Sequence, residues 1–314
     1  MTVTEMETAT FAPDVARTNL QETIDELSGE ASTLQRLIVE PGSKIKLDTV
    51  DSDYHGEWES QEGARPELEY LSQKMDQLQY LMYAEKKRGL LIVLQGLDAA
   101  GKDGVVRRIM TAMNPAGCRV IGFKQPTPED LKHDFLWRVH PHVPAKGEVA
   151  IFNLSHYEDI LVVRVHELTP VSVWSKRYDL INDFERWLVT ENSTTVVKFL
   201  LYISKEEQLA RFKRRLDDPS RRWKISEADY KEREYWDSYM EAFEEMLQKT
   251  STKHAPWFVI PANNKSFRDL AVSQIITQKL EDLDMERPES PVDIASIRRR
   301  YHAAELEAAC HRHA

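Results

Sequence analysis

The chain has 314 residues, 52 acidic and 42 basic, for a formal charge of −10. That length corresponds to about two domains of ~150 residues, or to one α/β unit with extensions, and it buries a full core without disulfides or structural metals. The acidic balance argues against a nucleic-acid binder. No run approaches the ~18 apolar residues of a membrane span, and the first residues are not expected to act as a secretory signal. Two cysteines, Cys118 and Cys310, cannot build a disulfide framework and point to a reduced, cytoplasmic setting.

The charge is unevenly spread. Residues 1–35 carry −6 and residues 281–314 carry −3, which leaves −1 for the whole stretch between them. Residues 1–65 read as an acidic tail, with a short helix expected near 18–28, followed by an irregular segment rich in Gly and Pro. From Pro66 to about Lys87, Leu68, Leu71, Met75, Leu78 and Leu81 recur at helical spacing, with Pro66 placed for a helix start. The period then changes: 90–95 is a continuous apolar run, the mark of a strand buried on both faces. Similar runs occupy 118–123, 149–152, 195–203 and 257–260. Helical patterns separate them at 101–113, 128–139, 171–191, 205–216 and 226–250, and a last one covers 264–283. Strand alternating with helix predicts βαβ units and a mostly parallel five-stranded sheet. The main domain is therefore expected at 66–283. Residues 284–314, interrupted by Pro288 and Pro291, read as a peripheral extension with a helix-like charged mixture.

The first apolar strand runs into Gly96-Leu97-Asp98-Ala99-Ala100-Gly101-Lys102-Asp103, with a helix after it. This is the G-x-x-x-x-G-K spacing of a P-loop in the context the motif requires. Gly96 and Gly101 open backbone angles closed to other residues. The N–H groups of the loop and first turn, through Ala99, Ala100, Gly101 and Gly104, then face phosphate oxygens at a helix N-terminus, and Lys102 adds a compact positive charge. The position after the lysine usually carries a hydroxyl for Mg²⁺; here it is Asp103, which is either a first-turn acid favoured by the helix dipole or part of the site. Asp98 lies inside the loop. An acid against phosphate repels it unless a divalent cation intervenes, so Asp98 is a candidate ligand for Mg²⁺, with Mn²⁺ as an alternative.

The run 149–152 ends at Asn153, where P-loop proteins often place a carboxylate for the metal. Asn153 offers a carbonyl oxygen without charge. Beyond it, His156 reads better as a core or hydrogen-bonded histidine than as a catalytic one, and Glu158 and Asp159 as helix-cap acids. Between Arg211 and Lys224 seven bases oppose two acids, for +5 over fourteen residues. A charge run is usually a solvated face, but this one follows the fourth predicted strand, where nucleotide kinases carry a mobile lid. Arginines on such a lid close over transferring phosphates. The lid is expected at about 205–250, with a helix starting in a capping box at Ser226 and Asp229.

Together the stretches GLDAAGKDG (96–104), GFKQPTPEDLKHDFLWR (122–138), IFNLSHYEDILVVRVHE (151–167), RRLDDPSRRWKISEADYKEREYWDSY (214–239) and PANNKSFRDLAVS (261–273) resemble polyphosphate kinase family 2 over about 66–280. The wording of the third and fourth stretches is closest to the subgroup that accepts both AMP and ADP. The resemblance implies a three-layer α/β P-loop kinase core with a helical lid, moving a phosphoryl group reversibly between inorganic polyphosphate and adenine nucleotides, guanine remaining open. It implies a symmetric homo-oligomer; the short, local basic stretch and the lack of an apolar span argue for no nucleic-acid or membrane partner. By motif, Gly96, Gly101 and Lys102 bind phosphate, Asp98 holds Mg²⁺ or polarises the attacking nucleotide phosphate oxygen, Asn153 supports the metal, and Arg214, Arg215, Arg221, Arg222 and Lys224 belong to the lid. Lys124 and Arg138 are candidates for the nucleotide phosphates. One departure stands out: the family usually has Arg after the strand-end Asp or Asn, and this chain has Leu154. Two rivals remain at this level, an ATP-dependent nucleoside monophosphate kinase and a non-catalytic phosphate-binding module.

Overall fold

The structure, a computed structural model, describes residues 35–56, 58 and 61–311; the short helix expected at 18–28 lies outside them. Among the described residues the sheet has six strands: β1 (Ile38–Val39), β2 (Gly89–Gln95), β3 (Cys118–Ile121), β4 (Val149–Asn153), β5 (Thr194–Tyr202) and β6 (Trp257–Pro261). Their order is β1-β6-β5-β2-β4-β3. All neighbours run parallel except β1, which pairs antiparallel with β6 through Ile38–Phe258 and Val39–Trp257. The five expected strands thus form the parallel part. The expected total of five is corrected by a two-residue strand from the segment read as irregular, too short to carry a periodic signal.

Ten helices carry labels here: α1 (Gln61–Glu85), α2 (Lys102–Ala112), α3 (Glu158–Val165), α4 (Val171–Trp174), α5 (Arg177–Asn192), α6 (Lys205–Asp217), α7 (Glu227–Glu234), α8 (Trp236–Thr250), α9 (Lys265–Glu281) and α10 (Ile294–His311). The central strand shows why the fold has three layers. Leu90, Ile92 and Leu94 point to one face, where Met75 and Met82 of α1, Val105 and Ile109 of α2 and Ile275 of α9 cover them. Leu91 and Val93 point to the other, under Ile160 of α3, Ile181 and Phe184 of α5 and Phe243 of α8. Each such side chain stabilises the fold by ~1.5–3 kcal/mol when fully buried, so a strand apolar on both faces needs helices on both.

Several helix expectations change. The helix expected at 128–139 is a series of turns with short 3₁₀ segments at Asp130–Lys132 and His140–His142. Asp130 accepts from the N–H and hydroxyl of Thr127, and Asp134 accepts from the N–H of Leu136. Such local bonds compete with helical ones. Helix α1 begins before Pro66, which lies inside it. Residues 171–191 divide into α4 and α5, and 226–250 into α7 and α8 around Tyr235; the capping box at Ser226 and Asp229 is present. Helix α3 has no range among the expected helices, although the reading of Glu158 and Asp159 as cap acids implies one; both stand in its first turn.

Candidate active site

The parallel strands end on one side of the sheet, and the loop leaving β2 there turns directly into α2. The turn needs unusual backbone. Gly96 has φ 147° and Gly101 φ 108°. A Cβ on Gly96 falls 2.6 Å from the carbonyl oxygen of Leu201, so only glycine fits between the loop and β5. A Cβ on Gly101 collides with the Arg268 guanidinium. Lys102 folds back over the loop and donates to the carbonyls of Gly96 (2.6 Å) and Leu97 (3.2 Å). These are bonds an arriving phosphate replaces without leaving a charge unpaired.

The loop forms the floor of a cleft of about 870 Å³. Asp98, Ala99, Gly101, Lys102, Asp103, Gly104, Lys124, Asn153, Arg214, Arg215, Arg221 and Lys224 all line it. Gly96 and the buried Ala100 shape the loop from behind, the N–H of Ala100 donating to Leu97 (3.1 Å). Besides Gly96 and Ala100, two further expected residues stand outside the cleft lining. Arg138 donates to Asp159 (2.8 Å) and to the carbonyl of Lys124 (2.6 Å), so it shapes the chain that carries Lys124. Arg222 donates to the carbonyl of Leu216 (2.8 Å), holding the lid turn together.

Asp103 links the cleft walls. Asn153 donates to it from the end of β4 (3.1 Å), and Lys224 reaches it from the lid (3.3 Å). Burial pushes its carboxyl up, but the bonds from Asn153 and Lys224 outweigh that and hold it below the usual value. Asp98 is pushed up, mainly because the walls strip water from it, with Lys102 opposing. The same desolvation lowers the Lys102 ammonium, which Asp98 and Glu158 partly restore.

Four cations in this cleft were not assigned roles from sequence: Arg107, Arg211, Lys265 and Arg268. In the sequence Arg211 stands out only as part of the basic run. It is buried, and its fork donates to the carbonyls of Ala99 (2.8 Å), Ala100 (3.0 Å), Asn263 (3.0 Å) and Ala262, and to Glu207 (2.8 Å). One guanidinium thus ties the P-loop, the end of β6 and the base of the lid. The basic spacing of Arg211 with Arg214 and Arg215 on one helix was the available signal. Lys265 sits among Arg211, Arg214, Arg268 and Arg221, and burial together with those charges lowers its ammonium. Glu158, read as a cap acid, does stand in the first turn of α3, but desolvation pushes its carboxyl up to about 7, eased by Lys102 and a hydrogen bond from Gln95. His156 is buried with its Nε2 3.2 Å from Glu185, away from the cleft lining.

Among the described residues no group of three or more His, Cys, Asp or Glu side chains forms a self-sufficient metal site. The donor set nevertheless fits a hard cation that keeps waters and takes phosphate oxygens. Asn153 gives its amide hydrogen to Asp103 and leaves its Oδ1 buried without a partner, and Asp98 presents a carboxylate to the same cleft.

Comparison with known proteins agrees with this geometry. The family model for Polyphosphate kinase 2 (PPK2) matches residues 57–288. The AMP/ADP-polyphosphate phosphotransferase of Meiothermus ruber is 46% identical over 257 residues, covering 82% of this chain and 96% of that protein. The ADP-polyphosphate phosphotransferase of Rhodopseudomonas palustris is 41% identical, over 79% of this chain and 90% of that one. The crystal structure of polyphosphate kinase 2 from Arthrobacter aurescens superposes with a TM-score of 0.80 at 39% identity, covering 85% of this chain and 98% of its own. With the P-loop, the lid and the match running through the whole parallel sheet, the chain belongs to the polyphosphate kinase 2 family.

Proposed function

We propose that this chain transfers a phosphoryl group reversibly between inorganic polyphosphate and the adenine nucleotides AMP and ADP. The observation that carries the reading is the charge of the cleft: Lys102, Lys124, Arg107, Arg214, Arg215, Arg221, Lys224, Lys265 and Arg268 line one space above a P-loop. That suits two polyanions at once, a nucleotide phosphate and a phosphate chain. The names of the relatives, which join polyphosphate to AMP and ADP, support the same substrates.

In this mechanism the terminal phosphate of the nucleotide attacks the end of the chain in line. An oxygen–phosphorus bond forms to the acceptor as the bond to the penultimate phosphate breaks, and no proton need be removed from a phosphate oxyanion. Positioning and charge neutralisation do the work. Lys102 leaves the carbonyls of Gly96 and Leu97 for a phosphate oxygen. Arg211 keeps the P-loop carbonyls turned away, so that the N–H groups face inward. Arg214, Arg215 and Arg221 close from the lid. Asp98 and Asn153 would hold Mg²⁺, or Mn²⁺ in its place; when bound it neutralises charge between donor and acceptor. The reading extends to a cytoplasmic homo-oligomer, with guanine nucleotides as a further acceptor to be tried.

The test is nucleotide product analysis by chromatography, with polyphosphate offered to AMP, ADP, GMP and GDP in the absence of ATP. ADP and ATP should appear from AMP. Product formed from AMP only when ATP is the donor would instead make this a nucleoside monophosphate kinase. Polyphosphate binding without any product would make it a binding module.

A further inference from the structure

Helix α10 begins at Ile294, beyond the family match at 57–288, and takes no part in the cleft. It stands clear of the body: from Ile294 to Leu306 every residue except the intermediate Ser296 is exposed, including Ile297 at 48% and Tyr301 at 62%. In proteins a helix draws most of its stability from packing an amphipathic face rather than from propensity, so an apolar stripe on a helix that stands clear of the body calls for something to cover it.

The stripe says what. Ile294, Ile297, Tyr301, Ala304 and Ala308 follow helical spacing down one side. About a point midway between His302 and Ala303, large residues fall opposite small ones: Tyr301 mirrors Ala304, and Ile297 mirrors Ala308. Two identical antiparallel helices meet in that way, each bulky side chain entering the gap left by an alanine. The flank gives the same answer. Arg298 and Glu305 lie on one side of the stripe, two turns apart. In an antiparallel pair the same flank of each helix adjoins, so Arg298 of one copy comes level with Glu305 of the other to within about 3 Å along the axis, twice by symmetry. Among the described residues Arg298 has no acidic partner within its own chain, while Glu305 meets only His302, at 3.3 Å.

We propose that α10 is a self-association element that pairs antiparallel with α10 of a second copy of this chain about a two-fold axis. Two helices of this length bury on the order of 1,000 Å² in total, the lower bound for a specific interface. The pairing is therefore concentration-dependent, with the charge pairs setting direction more than affinity.

Sedimentation equilibrium of the full chain across a dilution series tests it. Ile297→Asp/Tyr301→Asp should halve the mass, or lower the association constant by at least ~10-fold, with phosphoryl transfer unchanged. Because an aspartate pair can also unwind the helix, Arg298→Glu provides the second arm: alone it should weaken association, and with Glu305→Arg it should restore it. A wild-type mass no greater than that of the variants overturns the proposal, since α10 would then meet another partner or none. A double exchange that fails to restore association overturns the antiparallel arrangement.

Discussion

Two clusters of charged side chains sit within this fold, and they differ in what they lack. Beneath the sheet, Lys198 of β5 donates to Glu185 (2.6 Å), to the Tyr157 hydroxyl (2.9 Å) and to the Thr250 carbonyl (2.7 Å), which uses all three of its hydrogens. Glu185 accepts in turn from Tyr157 (2.9 Å) and lies 3.2 Å from His156. All four side chains are fully buried. Burial raises the Glu185 carboxyl, but Lys198 and His156 bring it below its usual value. At the strand ends, Lys102 leans on two loop carbonyls, Asp98 faces an open cleft, and the Oδ1 of Asn153 has no partner. Burial of charge therefore does not by itself mark the active site. Apart from the Nδ1 of His156, which is buried without a partner, the closed cluster has satisfied its groups internally; the open one keeps its charges in bonds that a substrate can take over.

That contrast breaks most directly on its two lysines. Lys102→Ala should lower polyphosphate-dependent turnover by 10³–10⁴-fold, ~4–5 kcal/mol of transition-state stabilisation, with the thermal melt close to wild type. Lys198→Met should do the reverse. Stranding Glu185 in the core should destabilise the fold by about 3–5 kcal/mol in urea unfolding, and Lys198→Met/Glu185→Leu should recover most of it. A Lys102→Ala variant that melts as early as Lys198→Met would erase the distinction between the clusters.

A smaller effect probes how complete the open cluster is. Leu154 follows Asn153 with φ 66° and lines the cleft where the family usually has arginine. A guanidinium there adds one charge-assisted contact to phosphate, ~1.5–3 kcal/mol if desolvated. Leu154→Arg should accordingly raise kcat/KM for polyphosphate by about 10–100-fold. Steady-state kinetics with no gain would mean that other cations already fill the role.

The sequence revealed those parts of the fold and site that are written locally. A strand buried on both faces needs an unbroken apolar run, and Leu90–Leu94 is one. A loop that cradles phosphate needs glycines and a lysine at fixed spacing, and Gly96, Gly101 and Lys102 show them. Arg211 and Arg268 were not assigned because their roles are made by tertiary neighbours. Arg211 acts on carbonyls more than a hundred residues away along the chain, and no short pattern encodes that. The turns at 128–139 defeated the helix expectation because Asp130 and Asp134 bond locally, which apolar periodicity does not register. Strand β1 was too short to see. Glu158 was read by its position at a helix start, which is correct but says nothing of the charges around it.

Glu158 offers the finest test, because its two descriptions make opposite claims about pH. As an ordinary first-turn acid it would ionise near 4.5 in both the folded and unfolded chain and contribute no slope. In the structure desolvation beside Asp98 raises its carboxyl to about 7. Between 4.5 and 7 the folded chain then holds a proton that the unfolded chain has released. Stability from this group is fully present below the unfolded value and is lost as pH rises through the folded one. Glu158→Gln cannot lose that proton. Urea unfolding of substrate-free protein at about pH 5 and about pH 8 should show the glutamine variant gaining on wild type by on the order of 1–2 kcal/mol across the interval, the full linkage being reduced because the side chain is only partly covered. A difference between the two proteins that stays constant with pH would return Glu158 to the role of a simple cap. It would also remove it from the open cluster, leaving Asp98 as the carboxylate there that ends above its usual value, since the bonds to Asp103 outweigh its burial.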